Sequence, residues 1–472
     1  MALRRAVVLR LLVGGALAGL FPAPAPSLAA AAPAVEVPSS RARGEEALHW
    51  LRAYLRIDTS NPPGNEAPAA AYLREILHRE GIATRQIVSR TGRVSLMARL
   101  EAADPGAGAI VLQHHLDIVP PGPGWNRRPL SADLEAGYLW GRGAVDDKSL
   151  GIAHLAAFLD LHRSQAELTH DVIFLAVADE ESGGGEGMAW LLRNQPELLA
   201  GVVGVLGEGG SNRTVQGRNV WWGIEVAQKR ALWLKASVWG RRGHGSTWNP
   251  GSAPHKLVRG LARLLERPVE LRLSPQVRSY FEAIAPYEGR NFRESLPHLE
   301  EHLAGTREGF VIRPGMPSYL ADSLQVNTLE AGSRVNVAPG TASALIDIRL
   351  LPDTDTDAFL ADVRERLGKD VDVEVLLESP ESPPSPTDDP LFQCVEGALL
   401  PEGSPVVPAF IPGVTDSRYF RERGIPAYGF SPFVIDGLDL MGIHGADEKI
   451  PVQGFLDGVE RMIRVVRACV TR

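Results

Sequence analysis

The chain has 472 residues, enough for two to four domains, with 44% hydrophobic and 22% charged residues, a balance that excludes a disordered chain. Its formal net charge of −8 argues against a nucleic-acid binder, whose affinity rests on Lys and Arg meeting phosphates. The basic residues are 43 Arg and only 6 Lys, which reflects a GC-rich coding sequence more than a function.

Residues 1–29 read as a secretory signal peptide. Arg4 and Arg5 precede an apolar run over 11–21, and Ser27-Leu28-Ala29 offers a small-x-small cleavage site. That run is too short for a bilayer span, which needs about 20 residues. The expectation is an exported protein, periplasmic or extracellular, with residues 30–44 as a linker. Segments 45–57 and 68–80 have the spacing of amphipathic helices, and 148–164 reads as a helix between two strands. Runs at 94–100, 110–119, 172–178 and 202–206 are apolar and β-branched. This alternation predicts an α/β fold with a mainly parallel sheet between helices. Ligands of such sheets gather at the carboxyl ends of the strands. The pattern changes near residue 228. Strands at 232–239, 324–329, 343–350 and 371–377, with helices at 254–266 and 356–367, predict a smaller α+β unit. Residues 267–322 within it are irregular with helical pieces. The Pro/Ser-rich stretch 379–386 reads as a linker, and helices at 390–399 and 452–467 follow. Cys394 and Cys469 lack metal-type or CxxC spacing; in an exported chain they either pair or remain two buried thiols.

Five clusters of acids and imidazoles stand near the ends of these runs. His115-Leu116-Asp117 ends the run at 110–119, where period two puts both side chains on one face. The imidazole can ligate a metal while the carboxylate supports the ring. Gly141-Arg142-Gly143-Ala144-Val145-Asp146-Asp147-Lys148 sets two acids at a helix start, where Asp147 above all reads as a cap. Asp179-Glu180-Glu181 reads either as a surface turn or as carboxylates gathered around a cation. The glycines that follow lack the spacing of a phosphate or dinucleotide loop. Gly207-Glu208-Gly209-Gly210 and Ile443-His444-Gly445-Ala446-Asp447-Glu448 complete the set. One His and one carboxylate per ion plus a shared carboxylate is what two zinc ions about 3.5–4 Å apart require, and a free Glu is then needed as general base. Neither Gly-x-Ser-x-Gly nor His-Glu-x-x-His occurs.

In that order, His115-x-Asp117-x-Val119-Pro120, the Gly141–Lys148 segment, Asp179-Glu180-Glu181-Ser182-Gly183, Glu208 and His444 resemble the di-zinc metallopeptidase family. Its members include carboxypeptidase G, aminoacylase, acetylornithine deacetylase, succinyl-diaminopimelate desuccinylase and Gly-X carboxypeptidase. The resemblance covers nearly all of the chain after about residue 45. It implies a catalytic domain in two parts, 45–227 and 381–472, with a lid/dimerisation domain inserted over 228–380. It implies two zinc ions per chain, with cobalt as a substitute: His115 and Glu208 on one, Glu181 and His444 on the other, Asp146 bridging. Glu180 would be the general base and Asp117 would orient His115.

Within the lid, His244 in Gly240-Arg241-Arg242-Gly243-His244-Gly245-Ser246 resembles a residue that reaches an active site, often across a homodimer, to stabilise the oxyanion. Asn336 and Arg349 resemble lid positions near substrate, an ion pair being the other reading of Arg349. Arg418 would hold a substrate carboxylate in a bidentate pair, unless it is a solvated Arg in a helix capped by Asp416. The implied activity is amide hydrolysis in small peptides or N-acyl amino acids, and Glu at position 208 favours carboxypeptidase and deacylase types. The other readings are a dipeptidase or other amidohydrolase of the family, and a non-catalytic exported solute-binding protein. His114 departs from the family, where Gly is usual. The long insert at 267–322 and Trp248-Asn249 depart as well.

Overall fold

Ser39 accepts a hydrogen bond from the Ala42 amide and starts α1, Ser40–Leu55. This helix begins inside the stretch expected to be a linker. The cap starts it there, and Arg43 ties its first turn to Glu460 of the C-terminal helix at 2.6 Å. The computed structural model describes residues 39–104, 106–308 and 315–472, so the expected signal peptide lies outside the described residues.

The further helices that frame the fold are α2 (Ala67–Arg79), α3 (Lys148–Arg163), α4 (Ala253–Leu265), α5 (Thr356–Leu367), α6 (Pro390–Leu399) and α7 (Val452–Val470). The main strands are β1 (Thr84–Val88), β2 (Val94–Leu100), β3 (Ala109–His115), β4 (Asp171–Val177), β5 (Val202–Gly207), β6 (Arg218–Gln228), β7 (Arg230–Trp239), β8 (Ser323–Glu330), β9 (Thr341–Leu350), β10 (Asp372–Glu378), β11 (Val406–Ile411) and β12 (Ala427–Gly429). The central sheet has the order β1-β2-β4-β3-β5-β12-β6-β11. Its middle is parallel, β4 with β3, β3 with β5 and β5 with β12. The β1–β2, β2–β4 and β12–β6 pairs are antiparallel. β11 and β6 also pair in parallel, so the sheet is mixed but mainly parallel, as expected. A short turn at Ser89–Arg93 joins β1 to β2, and so short a link permits only antiparallel pairing.

Every residue of β3 is buried. Ile110 and Leu112 join a core with α1, α3 and α7, while Ala109 and Val111 face a second core on the other side. Burial on both faces explains the unbroken apolar runs. Cys394 of α6 and Cys469 of α7 form a disulfide.

The second sheet, β8-β9-β7-β10, is antiparallel throughout. Leu232, Leu234, Ala236 and Val238 of β7 are buried against α4 and α5, and the residues between them are less buried, the period of a sheet covered on one face. Short helices between Pro275 and Leu303 pack Phe281 and Phe292 with Phe410 of β11 in a further core. The stretch expected as a linker is anchored at two points and exposed at Glu381, Pro383, Pro384 and Pro386. Ser379 and Ser385 are buried, and Ser385 donates to the Ala427 carbonyl at 2.7 Å. No helix among the described residues is long and apolar enough to cross a membrane.

Candidate metal centre

β3 stops at His115, short of the expected residue 119. The Leu116 N–H still reaches the Val177 carbonyl of β4, but the next groups turn to residues 59–61: Thr59 Oγ1 donates to the Leu116 carbonyl at 2.8 Å, the Asn61 amide to that of Ile118 at 2.8 Å, and the Ile118 amide to the Thr59 carbonyl at 3.2 Å. Asp117 thus lies beyond the strand. Its carboxylate accepts the side-chain amide of Asn61 at 2.8 Å and the backbone N–H groups of Glu180 and Glu181 at 3.1 Å each. The main-chain carbonyl of Asp117, not its carboxylate, lies nearest the ring: His115 Nδ1 donates to it at 2.9 Å, with the carboxylate at 3.7 Å. With Nδ1 held by that carbonyl, Nε2 is the nitrogen left to face Asp146, and it would offer a lone pair to a metal on giving up its proton.

The cation among the Asp179-Glu180-Glu181 carboxylates comes from β1–β2. Arg93 donates to Asp179 at 2.7 Å and to Glu66 at 2.8 Å. Asp179 has φ of 70°, a left-handed turn that redirects the chain into Glu180 and Glu181.

Asp146 is held from the far end of the sequence. The buried Glu448 carboxylate accepts the N–H groups of Gly143, Val145 and Asp146 at 3.1, 2.8 and 3.2 Å and pairs with Arg142 at 2.6 Å. Asp147 occupies the cap position of α3 but makes no capping bond. Its carboxylate faces the His115 amide at 3.4 Å instead.

Four loops now converge. His115 Nε2 lies 3.0 Å from Asp146 Oδ1 and 3.8 Å from Glu208 Oε2. His444 Nε2 lies 3.1 Å from Asp146 Oδ2 and 3.2 Å from Glu181 Oε2. These form two triads that share Asp146, with the ligand atoms of each within 4.8 Å of one another. Burial pushes Glu181 up to about 7, with Asp146 adding to it, and burial with Glu180 and Asp146 nearby pushes Glu208 well up. Hydrogen bonds to Asp146 and Glu181 raise His444 to about 10. Burial opposes the charge of Asp146, but hydrogen bonds from both imidazoles hold its carboxyl below the usual range. Glu208 Oε2 is buried without a hydrogen-bond partner. Crowded carboxylates, an orphaned acceptor and two imidazoles are a donor set that divalent cations would complete.

Glu180 stands beside the triads, 3.7 Å from Arg418 Nη1. Arg418 is buried rather than solvated, and it donates to the carbonyls of Thr415 at 2.6 Å and Gly183 at 3.0 Å. Asp416 makes no capping bond. Burial, with Glu180 nearby, pushes its carboxyl well above the usual range. A cleft of about 710 Å³ opens over the triads, with Glu180, Arg418, Trp233 and Arg349 in its walls. Arg349 answers to both of its readings, since it lines the cleft and also pairs with Asp347 at 2.8 and 3.1 Å. Trp233 Nε1 donates to the same carboxylate at 2.8 Å.

His244 and Asn336 are not in the cleft wall. They are exposed on a ribbon in which Gly243–His244 pairs with Val337–Ala338, and His244 Nδ1 lies 2.7 Å from Ser246 Oγ. His114 turns away from the triads into the core with His154, both fully buried. Sequence reasoning did not single out Glu448, Asn61, Arg93 or Trp233. Only Glu448 stood within a quoted motif.

Residues 111–468 match the model of peptidase family M20/M25/M40. Aminoacylase-1A of Rattus norvegicus is 29% identical, over 90% of this chain and 97% of its own. Human carnosine dipeptidase 1 has a structure of the same fold, with TM-score 0.71 at 17% identity over 91% of this chain and 97% of that one. The M20 family metallo-carboxypeptidase Sso-CP2 from Sulfolobus solfataricus superposes with TM-score 0.67 at 18% identity, over 89% and 98%.

Proposed function

The chain belongs to peptidase family M20/M25/M40, and from that premise we propose that it is an exported, zinc-dependent hydrolase that cleaves the amide bond of small peptides or N-acyl amino acids. One observation carries the reading: the two carboxylate oxygens of Asp146 each meet a different imidazole, His115 at 3.0 Å and His444 at 3.1 Å. That is the arrangement of a carboxylate shared between two ions.

His115, Glu208 and Asp146 would hold one zinc ion, and Asp146, Glu181 and His444 the other. When bound, the pair supplies Lewis acidity that polarises the scissile carbonyl and acidifies water. Glu180 takes the proton from the attacking water and passes it to the leaving nitrogen. Its backbone is pinned to Asp117, which keeps the root of its side chain beside the triads in the cleft wall. Arg349, at the cleft wall, meets the substrate carboxylate with the part of its guanidinium not spent on Asp347. Residues 228–380 act as a lid. Its closure, or a second copy of the chain in a homodimer, brings His244 and Asn336 to the developing oxyanion. Arg418 is the weakest of the substrate contacts, because main-chain carbonyls already occupy both of its Nη atoms.

Export is supported by the apolar start behind Arg4 and Arg5 and by the Cys394–Cys469 pair, since disulfides persist in oxidising compartments. The test is to load the purified protein with zinc or cobalt and present a panel of N-acyl amino acids and dipeptides. About two ions per chain with hydrolysis of at least one class supports the proposal. Absence of metal after native purification and reloading supports a binding protein instead.

A further inference from the structure

His114 and His115 are neighbours on β3, so their side chains leave opposite faces. His115 faces the triads. The His114 ring lies under α3, with its centroid 5.2 Å from that of Phe174 and 6.4 Å from that of His154. Among the described residues none of the ring nitrogens of His114 or His154 has a hydrogen-bond partner, so these imidazoles contribute shape here and not polarity. The helix approaches so closely because residue 151 is glycine. A Cβ on Gly151 would fall 2.3 Å from His114 Cδ2 and 2.5 Å from Nε2, closer than side-chain carbons pack.

Gly151 sits inside a regular helix, where glycine is unfavourable. Its backbone does not require it, since its φ is not positive. The His114 ring is what excludes a side chain there. His114 has no room to retreat: it is fully buried and paired with Ala176 of β4.

Both residues are one short step from the triads. The Gly151 amide donates to the Asp147 carbonyl at 3.1 Å, so its position sets the turn that presents Asp146. His114 is joined by a peptide bond to His115, whose Nε2 meets Asp146 at 3.0 Å.

We propose that His114 and Gly151 are a matched pair of positioning residues: a flat ring opposite a bare helix position sets the spacing of β3 and α3, and through it the distance between His115 and Asp146. The inference rests on reading those two residues as zinc ligands. Neither member of the pair belongs to a triad or lines the cleft.

The test titrates zinc into metal-stripped wild type, G151A, H114A and H114A/G151A, reading zinc per chain, affinity and thermal midpoint together. A wild type that binds no zinc overturns the metal reading itself. With two zinc per wild-type chain, G151A is expected to lose about tenfold or more in affinity at one site or both, the scale of a lost supporting contact. H114A, which leaves a gap, loses less. The double variant, which trades the ring for a methyl on each side, is expected to return to within about threefold of wild type, a coupling that independent sites do not show. If G151A does not fold, the comparison of H114A/G151A with H114A decides, and the double variant must bind more tightly. Wild-type zinc affinity in G151A, no recovery in the double variant, or a lowered thermal midpoint with unchanged zinc affinity each overturns the proposal.

Discussion

The triads and the His244 ribbon, the two parts of the proposed chemistry, are built in opposite ways. His115, Asp117, Glu180 and Glu448 are buried or nearly so and locked by backbone N–H groups and a paired Arg142. His244 and Asn336 lie in a solvent-exposed stretch of the second region, and among the described residues the side chain bonded to His244 is that of Ser246. Groups that must crowd negative charge need a rigid frame, because repulsion between carboxylates would otherwise spread them apart. A group that meets the substrate only during reaction needs freedom to arrive.

The contrast can be broken most sharply at its centre. D146A is expected to abolish binding of both zinc ions and all measurable turnover, read by metal analysis and by hydrolysis of the best substrate in the panel. Retention of one tightly held ion would show that Asp146 is not shared. E180A should lower kcat by about 10²–10⁴-fold, the usual worth of a general base, while zinc content stays at the wild-type level. Near-normal turnover would remove Glu180 from the mechanism. H244A sharpens the comparison from the exposed side: kcat is expected to fall about 10²–10³-fold, as for loss of an oxyanion donor, with metal content and thermal midpoint unchanged. A drop in metal content would place His244 in the frame instead.

E448Q tests the frame. It leaves Arg142 buried against a neutral partner, and a broken buried pair costs about 3–5 kcal/mol. A lowered denaturant midpoint with weakened zinc binding is expected, and an unchanged midpoint would contradict it.

The smallest effect is on pH dependence. In the metal-free protein His444 titrates at about 10 and Glu181 at about 7, and both must give up protons to bind metal. Zinc affinity therefore rises as pH rises through 7 toward 10, and binding at pH 7 releases protons. Calorimetry in buffers of different ionisation enthalpy measures that release, and none at pH 7 would refute it. The stability that metal-free His444 gains from its partners has the opposite sign. It is full below the ordinary imidazole value of 6.5 and lost as pH rises through about 10.

Much of this was legible in the residues. The helix expected over 148–164 is Lys148–Arg163, and the alternation at 232–239 is a half-covered strand inside Arg230–Trp239. Periodicity is local, and it reports the burial of each face directly. The parallel middle of the sheet was legible, but the antiparallel β2–β4 and β12–β6 pairs were not, because a run buried on both faces has the same composition in either kind of pair. Nor was the end of β3 at His115, which residues 59–61 impose from elsewhere in the chain. Arg418 was read either as a substrate clamp or as a solvated side chain, and it is neither free nor exposed.

The sequence by itself determined the fold class and which residues are candidate ligands: metal chemistry asks for these residue types after apolar runs, and their order along the chain is recorded without reference to space. Only the tertiary structure decided what holds them. Arg142 and Glu448 are 306 positions apart, and Gln113 and Asp416 are 303 apart. A contact between such residues leaves no spacing to read, because the energy of an ion pair or a packed ring depends on distance in three dimensions and not on separation along the chain.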